Sequence, residues 1–559
     1  MSSLVHRTSS EKQAGPLPSK EAGTDVSAGS DIVIHAAEPW GDDHTQRKLR
    51  PRHIQLIGIA GTIGTALFVN IGRGLLAGGP ASLFIAYTLW CPVVMCISLC
   101  MSEMATYLPV SSPFIRFAGR FVDEAFGVAA GYNFFIFQAS LVPYEITVCN
   151  LVIRYWTDAI PVWAVCLIFL TLYAALNYFN VSFYGEAEFW LSIGKVLLIV
   201  GLILYTFIVM VGGNPKHDAF GFRYWKNPGS FTTLYRDGDT GRFLGFLYCL
   251  VQAAFAVAGP EYVSMCAGEA ENPRRVLPRA YRSIFWRLTS FFMLGSLAVG
   301  ILVPYNDEKL AAAYDESASG AAASPFVRSM DRLGVPVLPH IVNFLILTSA
   351  FSAGNSTLYC ATRSLYGLAL EGKAPRALAT CSRAGVPYWC VTVVFCISQL
   401  AWLQVSHSAN VVLTWFVSLV TASQLINFCV IAYTYTRFKK ACAAQGIARE
   451  SLPYKAPFQP FAAWFALCCC AVVVIIGGWS IFIDDNFTVP DFLFQYMMLF
   501  VFPVVFFGWK LLRKSKWLDP AEVDLTTGVR AIEEYTAACE APRAARTKFG
   551  RILDKAFLV

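Results

Sequence analysis

Charge is scarce in this chain: of 559 residues only 14% are Asp, Glu, Lys or Arg, while 56% are hydrophobic. A water-exposed globular protein of this length cannot cover its surface with so little charge, which excludes a soluble enzyme or scaffold and indicates a membrane protein. Histidine is scarcer still, seven residues scattered mostly through tails and loops, and no HExxH, GxSxG or clustered His and Cys ligand pattern occurs. The common seats of metal-assisted and serine-hydrolase chemistry are therefore missing, and neither enzymatic activity nor a cofactor is expected. The 17 cysteines lack disulfide or zinc spacing; Cys91, Cys96, Cys100 and the run Cys468 to Cys470 sit inside apolar stretches and read as reduced core residues. No apolar run precedes residue 53, so residues 1–52 read as a disordered cytoplasmic tail rather than a signal peptide, and the first membrane segment must itself direct insertion. The net charge of +7 is not gathered on one amphipathic face, which argues for topology rather than nucleic acid as its cause. A phosphate-loop spacing, "GLALEGKA" at 367–374, fails because Ala374 replaces the Ser or Thr and a helix precedes it.

Long apolar runs are what the chain has in abundance. Segments of about 20 residues, enough to cross about 30 Å of hydrocarbon, fall at twelve places: 53–78, 81–108, 125–157, 162–179, 187–212, 242–268, 287–305, 338–370, 387–405, 410–437, 461–483 and 490–511. An even number puts both termini on one side, and the great majority of the 44 Lys and Arg residues then fall inside if that side is cytoplasmic. The transporter domain spans 53–511, followed by a cytoplasmic tail over 512–559.

Two segments carry interruptions at bilayer depth. "AGTIGTALF" at 60–68 places Gly61, Gly64 and two threonines in the first segment, and "AFAVAGPEYV" at 254–263 places Gly259 and Pro260 in the sixth. Such residues weaken a helix and, in Pro260, remove an amide hydrogen. Broken helices at corresponding places in two oppositely oriented halves point to an inverted-repeat transporter, whose freed N–H groups hold a carboxylate and whose freed carbonyls hold an ammonium. Small residues at this spacing also suit tight helix packing, but Pro260 beside Glu261 does not.

Three ionisable residues lie well inside apolar segments, where each costs about 2.5–3.5 kcal/mol and so needs a cavity or a partner. Lys195, with Ser192 and Glu188 on its stripe, can fill the place of a bound metal cation and carry a proton. Glu145 shares a stripe with Gln138 and can meet a substrate ammonium. Glu261 can mend the opened backbone beside Gly259. In the eighth segment Ser352, Asn355 and Ser356 form a polar patch that either borders a cavity or links helices, and Phe255 and Phe351 are candidate aromatic lids.

At these residues the chain resembles the fungal amino acid permeases of the amino acid, polyamine and organocation superfamily. The likeness runs from about His53 to Gly528 and rests on "IAGTIGTALFVNIG", "SEMATYLP", "GRFVDEAFGVAAGYN", "EFWLSIGKV", "AFAVAGPEYVSMCAGEAENPRRVLPRA" and "SAGNSTLYCATRSLYGLALEGKAP". The resemblance implies an all-α polytopic protein of twelve transmembrane helices, ten of them forming a leucine-transporter-type 5+5 inverted repeat with discontinuous helices 1 and 6. It implies a plasma-membrane proton symporter with no cofactor and no nucleic-acid partner, surrounded by lipid, its tails open to trafficking or ubiquitination factors. It further implies a substrate site built from Ala60, Gly61, Thr62, Gly64 and Thr65, from Phe255, Ala256, Ala258 and Gly259, and from Glu145 and Asn355, with Lys195, Glu145 and Glu261 in proton coupling. Ala66 and Pro260 depart from the usual pattern, where a third glycine and a Thr or Ser stand. The "AGPEYVSM" form is similar to a branch associated with carnitine and polyamines. Uptake of a small zwitterion with a proton is the expected function; a carnitine-like, betaine-like or polyamine substrate, or a non-transporting nutrient sensor, is the alternative.

Overall fold

The computed structural model describes residues 64–544 apart from 111, 179–180, 266, 271, 315–319, 321, 383–385 and 484–486. The N-terminal tail and the residues Ala60, Gly61 and Thr62 lie outside the described residues. Among the described residues the protein is helical throughout, without a strand. Among the described residues, nine helical spans are long and apolar enough to cross a membrane, and the shorter apolar helices Val162–Tyr178 and Thr289–Leu302 accompany them. The protein is a multi-pass membrane protein.

A π-helical turn, Ala66–Asn70, leads into α1, Ile71–Tyr107. This long helix folds back on itself at Gly79, whose φ of +80° only glycine adopts freely and where a Cβ would lie 2.9 Å from the Ser230 carbonyl. That carbonyl accepts the Ala81 amide at 2.9 Å, so the turn is fixed by its neighbour loop. An amphipathic helix α2, Pro113–Phe121, precedes α3, Glu124–Ile153; Asp123 caps α3 through the Ala125 amide and pairs with Lys510 at 2.6 Å. Then come α4, Val162–Tyr178, α5, Val181–Met210, α6, Gly238–Ala256, the short α7, Pro260–Met265, and α8, Pro273–Leu302. Two short helices, α9 (Glu308–Tyr314) and α10 (Pro325–Leu333), cap one end before α11, Leu338–Leu370. The rest are α12 (Tyr388–Ser398, prolonged to Ser406), α13 (Ala409–Ala444), α14 (Phe461–Ile476), α15 (Val489–Arg513) and α16 (Val529–Ala544).

Burial sorts centre from rim. The most apolar windows of α3 and α13 are each 83% buried, against 11% for α15. A helix apolar on every side has no polar face to show water, so α3 belongs in the middle and packs against α11, α13 and α2, while Phe500, Val504 and Phe507 of α15 point outward to lipid. The described cysteines are all free thiols, and most are buried as expected; Cys396 and Cys468 sit on outward faces instead.

The ends are closed by polar clamps. Glu103, near the end of α1, is buried rather than interfacial: it accepts from Tyr435 of α13 at 2.9 Å, Arg449 at 3.0 Å and the Ala456 amide at 2.8 Å, pinning the α13 to α14 loop. The chain after α15 is held at the same end, with the Leu518 amide on the Val122 carbonyl at 3.0 Å and Arg120 on Asp524 at 3.2 Å. At the opposite end Asp307 receives two bonds from Arg328 of α10, at 2.8 and 3.0 Å, and caps α9 through the Leu310 amide. Burial alone would raise the Asp307 carboxyl, but the Arg328 and Leu310 bonds outweigh it and hold it below the ordinary carboxylate value. A carboxyl depressed on folding adds stability above its unfolded value, about 4, and loses it as pH falls through the folded value. Asp307→Asn should therefore melt earlier in detergent near neutral pH, by about 2 kcal/mol, with the gap to the unmodified protein closing below a pH of about 4.

Candidate functional site

The helical ladder of the sixth segment stops where the sequence places Gly259 and Pro260. The Val257 amide still donates to Ala253 at 2.9 Å, but the Gly259 amide turns to Glu261 Oε2 at 3.3 Å, and Pro260 has no amide hydrogen. The carbonyls of Phe255 and Ala256 thereby lose their intrahelical donors. Gly259, at φ +148°, makes the reversal, and α7 restarts at Pro260 with the Tyr262 amide on the Gly259 carbonyl at 3.2 Å.

A small, partly open cavity lies beside this interruption. Phe255, Ala256, Ala258 and Tyr262 line it from the broken helix, Ala66 from the π-helical turn and Gly64 from just before that turn. Phe137, Leu141, Tyr144 and Glu145 line it from α3, Ala353 and Thr357 from α11, and Val420 and Gln424 from α13. Its acid is held: Thr65 Oγ1 donates to Glu145 Oε2 at 2.9 Å, and Tyr144 packs edge-on to Phe255 at 5.3 Å. Space is tight here. A Cβ on Gly64 would lie 3.3 Å from Glu145 Oε1, and one on Gly354 would lie 2.2 Å from the Tyr173 hydroxyl and 3.1 Å from Glu145 Cβ.

Behind Ala353, on the same helix, Ser352 donates to both oxygens of Glu188 at 2.8 and 2.9 Å, and Lys195 Nζ lies 3.9 Å from Glu188 Oε1. Lys195 is fully enclosed, at 1% exposure, midway along α5. Glu261 keeps one oxygen on the Gly259 amide; its buried Oε1 has no partner among the described residues.

The structure thus brings together Gly64, Thr65, Glu145, Phe255, Ala256 and Ala258, with Gly259 at the break. Asn355 is not among the lining residues: its Oδ1 accepts from Asn177 of α4 at 2.8 Å, so it links helices. Phe351 stacks on Tyr173 at 5.1 Å, away from the lining, and is packing rather than a lid. Gln138 sits beneath the wall, donating to the Tyr262 hydroxyl at 3.4 Å. Sequence reasoning missed Tyr262, Thr357 and Gln424; a polar residue in an apolar run, the signal that singled out Gln138, also marks Gln424. It missed Arg73 too, which reaches Asn410 and Thr414 of α13 and lies 5.3 Å over the Tyr314 ring, closing the α9 end of the cavity's surroundings.

The family model described as amino acid permease matches residues 53–520. A general amino acid permease of Saccharomyces cerevisiae is 42% identical over 500 residues, 88% of this chain and 84% of that protein. A proline-specific permease of the same yeast is 40% identical over 510 residues, 90% of this chain and 81% of that one. Its lysine-specific permease is 37% identical over 513 residues, 91% and 83% of the two chains.

The crowding at the two glycines yields a graded expectation. Gly64→Ala should leave surface expression intact but raise the KM for uptake about tenfold, by displacing Glu145. Gly354→Ala, which drives a methyl into Tyr173, should cost about 3 kcal/mol or more and reduce the amount of folded protein on fluorescence-detected gel filtration.

Proposed function

The chain belongs to the amino acid permease family, and from that membership we propose that it imports an amino acid or similar zwitterion across the plasma membrane together with a proton, by alternating access. It is a transporter and not an enzyme, as the family is. The observation that carries the reading is the cavity in which an interrupted helix and the Gly64 to Thr65 backbone converge on one buried carboxylate. We take the architecture as twelve membrane helices, ten in a 5+5 inverted repeat, with both termini cytoplasmic; the distribution of Lys and Arg supports that orientation.

In this mechanism the substrate ammonium meets Glu145 and the Phe255 and Ala256 carbonyls, and its carboxylate meets amides of the Gly61 to Thr65 stretch. Both charged ends are then neutralised at bilayer depth, where either alone would be costly. Lys195, held against Glu188 and joined through Ser352 to the helix that forms the cavity wall, is assigned the proton. Glu261 serves the backbone beside Gly259, and we place its part in coupling second to Lys195. The short distance along α11 from Ser352 to Ala353 gives occupancy of the cavity and the charge at Lys195 a shared element to act on.

A second reading is favoured by the aromatic rings of Phe137, Tyr144, Phe255 and Tyr262 around a carboxylate, a setting that also suits a quaternary ammonium, as in a carnitine-like or betaine-like zwitterion. Uptake of radiolabelled amino acids, carnitine and polyamines into proteoliposomes at two external pH values separates these readings. Acid-stimulated, saturable accumulation of an amino acid is expected; binding without flux would indicate a sensor instead. Lys195→Met should abolish the acid-stimulated component while preserving surface expression, and undiminished pH-dependent accumulation would refute the coupling role.

A further inference from the structure

The cavity has a second polar end that the binding of ammonium and carboxylate leaves unused. Gln424 of α13 lines it, is 1% exposed, and its Nε2 has no hydrogen-bond partner among the described residues. A buried amide left in this state is costly unless a ligand completes it. Its place is set by α3: Asn133 donates to the Ser423 carbonyl at 2.8 Å and to Asn427 at 2.9 Å. Asn133 lies twelve residues before Glu145, about 18 Å along the helix at 1.5 Å per residue. Gln424 therefore enters the cavity from the end away from Glu145, where a substrate bound by its charged ends would project its side chain.

We propose that Gln424 is the specificity-determining residue for the substrate side chain, and that it selects a neutral hydrogen-bonding group, an amide or a hydroxyl. The inference rests on the amino acid transport reading given above. Charge on the side chain is disfavoured by the rest of the lining. It includes no Lys, Arg or His to meet an anionic side chain, and its one carboxylate, Glu145, is already engaged at the opposite end. Thr357, a turn from Ala353 on the α11 wall, adds a hydroxyl that already donates to the Gly354 carbonyl at 3.0 Å and so offers only an acceptor. An apolar side chain of the same shape fills the space but leaves Nε2 unpaired, and sites that hydrogen-bond their substrate reject such isosteres strongly.

The test is competition against transport by the full-length protein in proteoliposomes, using near-isosteric pairs: serine against α-aminobutyrate, and asparagine against leucine, with alanine as a side chain that reaches neither end. The polar member of each pair should compete about tenfold or more better. Gln424→Leu should erase or invert that preference, read as the ratio within each pair in the same variant. Gln424→Asn, which keeps the amide on a shorter stem, should retain part of it. The assignment is overturned if alanine is carried but the pair ratios are the same in Gln424→Leu as in the unmodified protein, or if all substitutions weaken alanine and the polar amino acids equally. If no amino acid, alanine included, is carried or competes, the transport reading falls and this assignment falls with it.

Discussion

Everything around the cavity is arranged by the need to keep Glu145 in the middle of a dry helix bundle. A carboxylate at the centre of a membrane helix costs about 2.5–3.5 kcal/mol on insertion scales, and α3 is the most enclosed span together with α13. The Thr65 hydroxyl is the contact that makes the position tolerable, and because Thr65 stands at the head of the π-helical turn, the acid fixes where the first described stretch of chain can lie. Side chains then have to shrink wherever other helices approach the pair. Gly354 leaves no room for an added carbon and Gly64 very little, and the small residues here fit that closeness.

Three buried acids on three helices divide the work by what each touches. Glu145 faces the cavity, Glu188 faces Lys195 and Ser352, and Glu261 faces the amide that its own helix break has released. The same residue type therefore supplies a cavity wall, an ion pair and a backbone splice. The first of these lines the cavity. Burial by itself does not distinguish them, since all three are below a tenth exposed; the partner does.

Much of this was legible in the chain. Apolar length placed the helices, because backbone amides in hydrocarbon must be satisfied within one segment and the run of residues needed to cross is fixed. Gly259 and Pro260 announced the break in the sixth segment because neither can sustain a ladder there. Glu145 and Lys195 stood out because an ionisable group in an apolar run has no neutral explanation. What stayed hidden was pairing across helices. Asn355 read as a lining residue, yet the donor that occupies it, Asn177, sits on α4, at a sequence distance no helical periodicity reports. Glu103 stands near the end of α1, and it is the return of the α13 to α14 loop over it that makes it buried. Phe351 and Phe255 are alike in sequence, each an aromatic in an apolar helix; both meet a neighbouring ring, but Phe255 also lines the cavity.

The turn Ala66–Asn70 joins two contacts that are far apart in chemistry. Its beginning, with Gly64 and Ala66, is cavity wall; its Val69 carbonyl lies 2.6 Å from the Tyr314 hydroxyl, which also lies 2.9 Å from the Ala323 carbonyl. That hydroxyl has one proton to give, so the two carbonyls compete for it, and the α9 end is tied to the cavity wall by a bond that has an alternative acceptor. Nearby, Asn70 donates to Gln252 of α6 at 2.6 Å, and Arg73 bridges α1 to α13 while its guanidinium rests over the same Tyr314 ring. A π-helical turn is a rare single-turn departure from the α ladder, found frequently at functional sites. Here it stands between the cavity and the cap, at the point where both are felt. The cap then needs no charge pair of its own to respond to what happens at Gly64: it shares four residues of backbone with it.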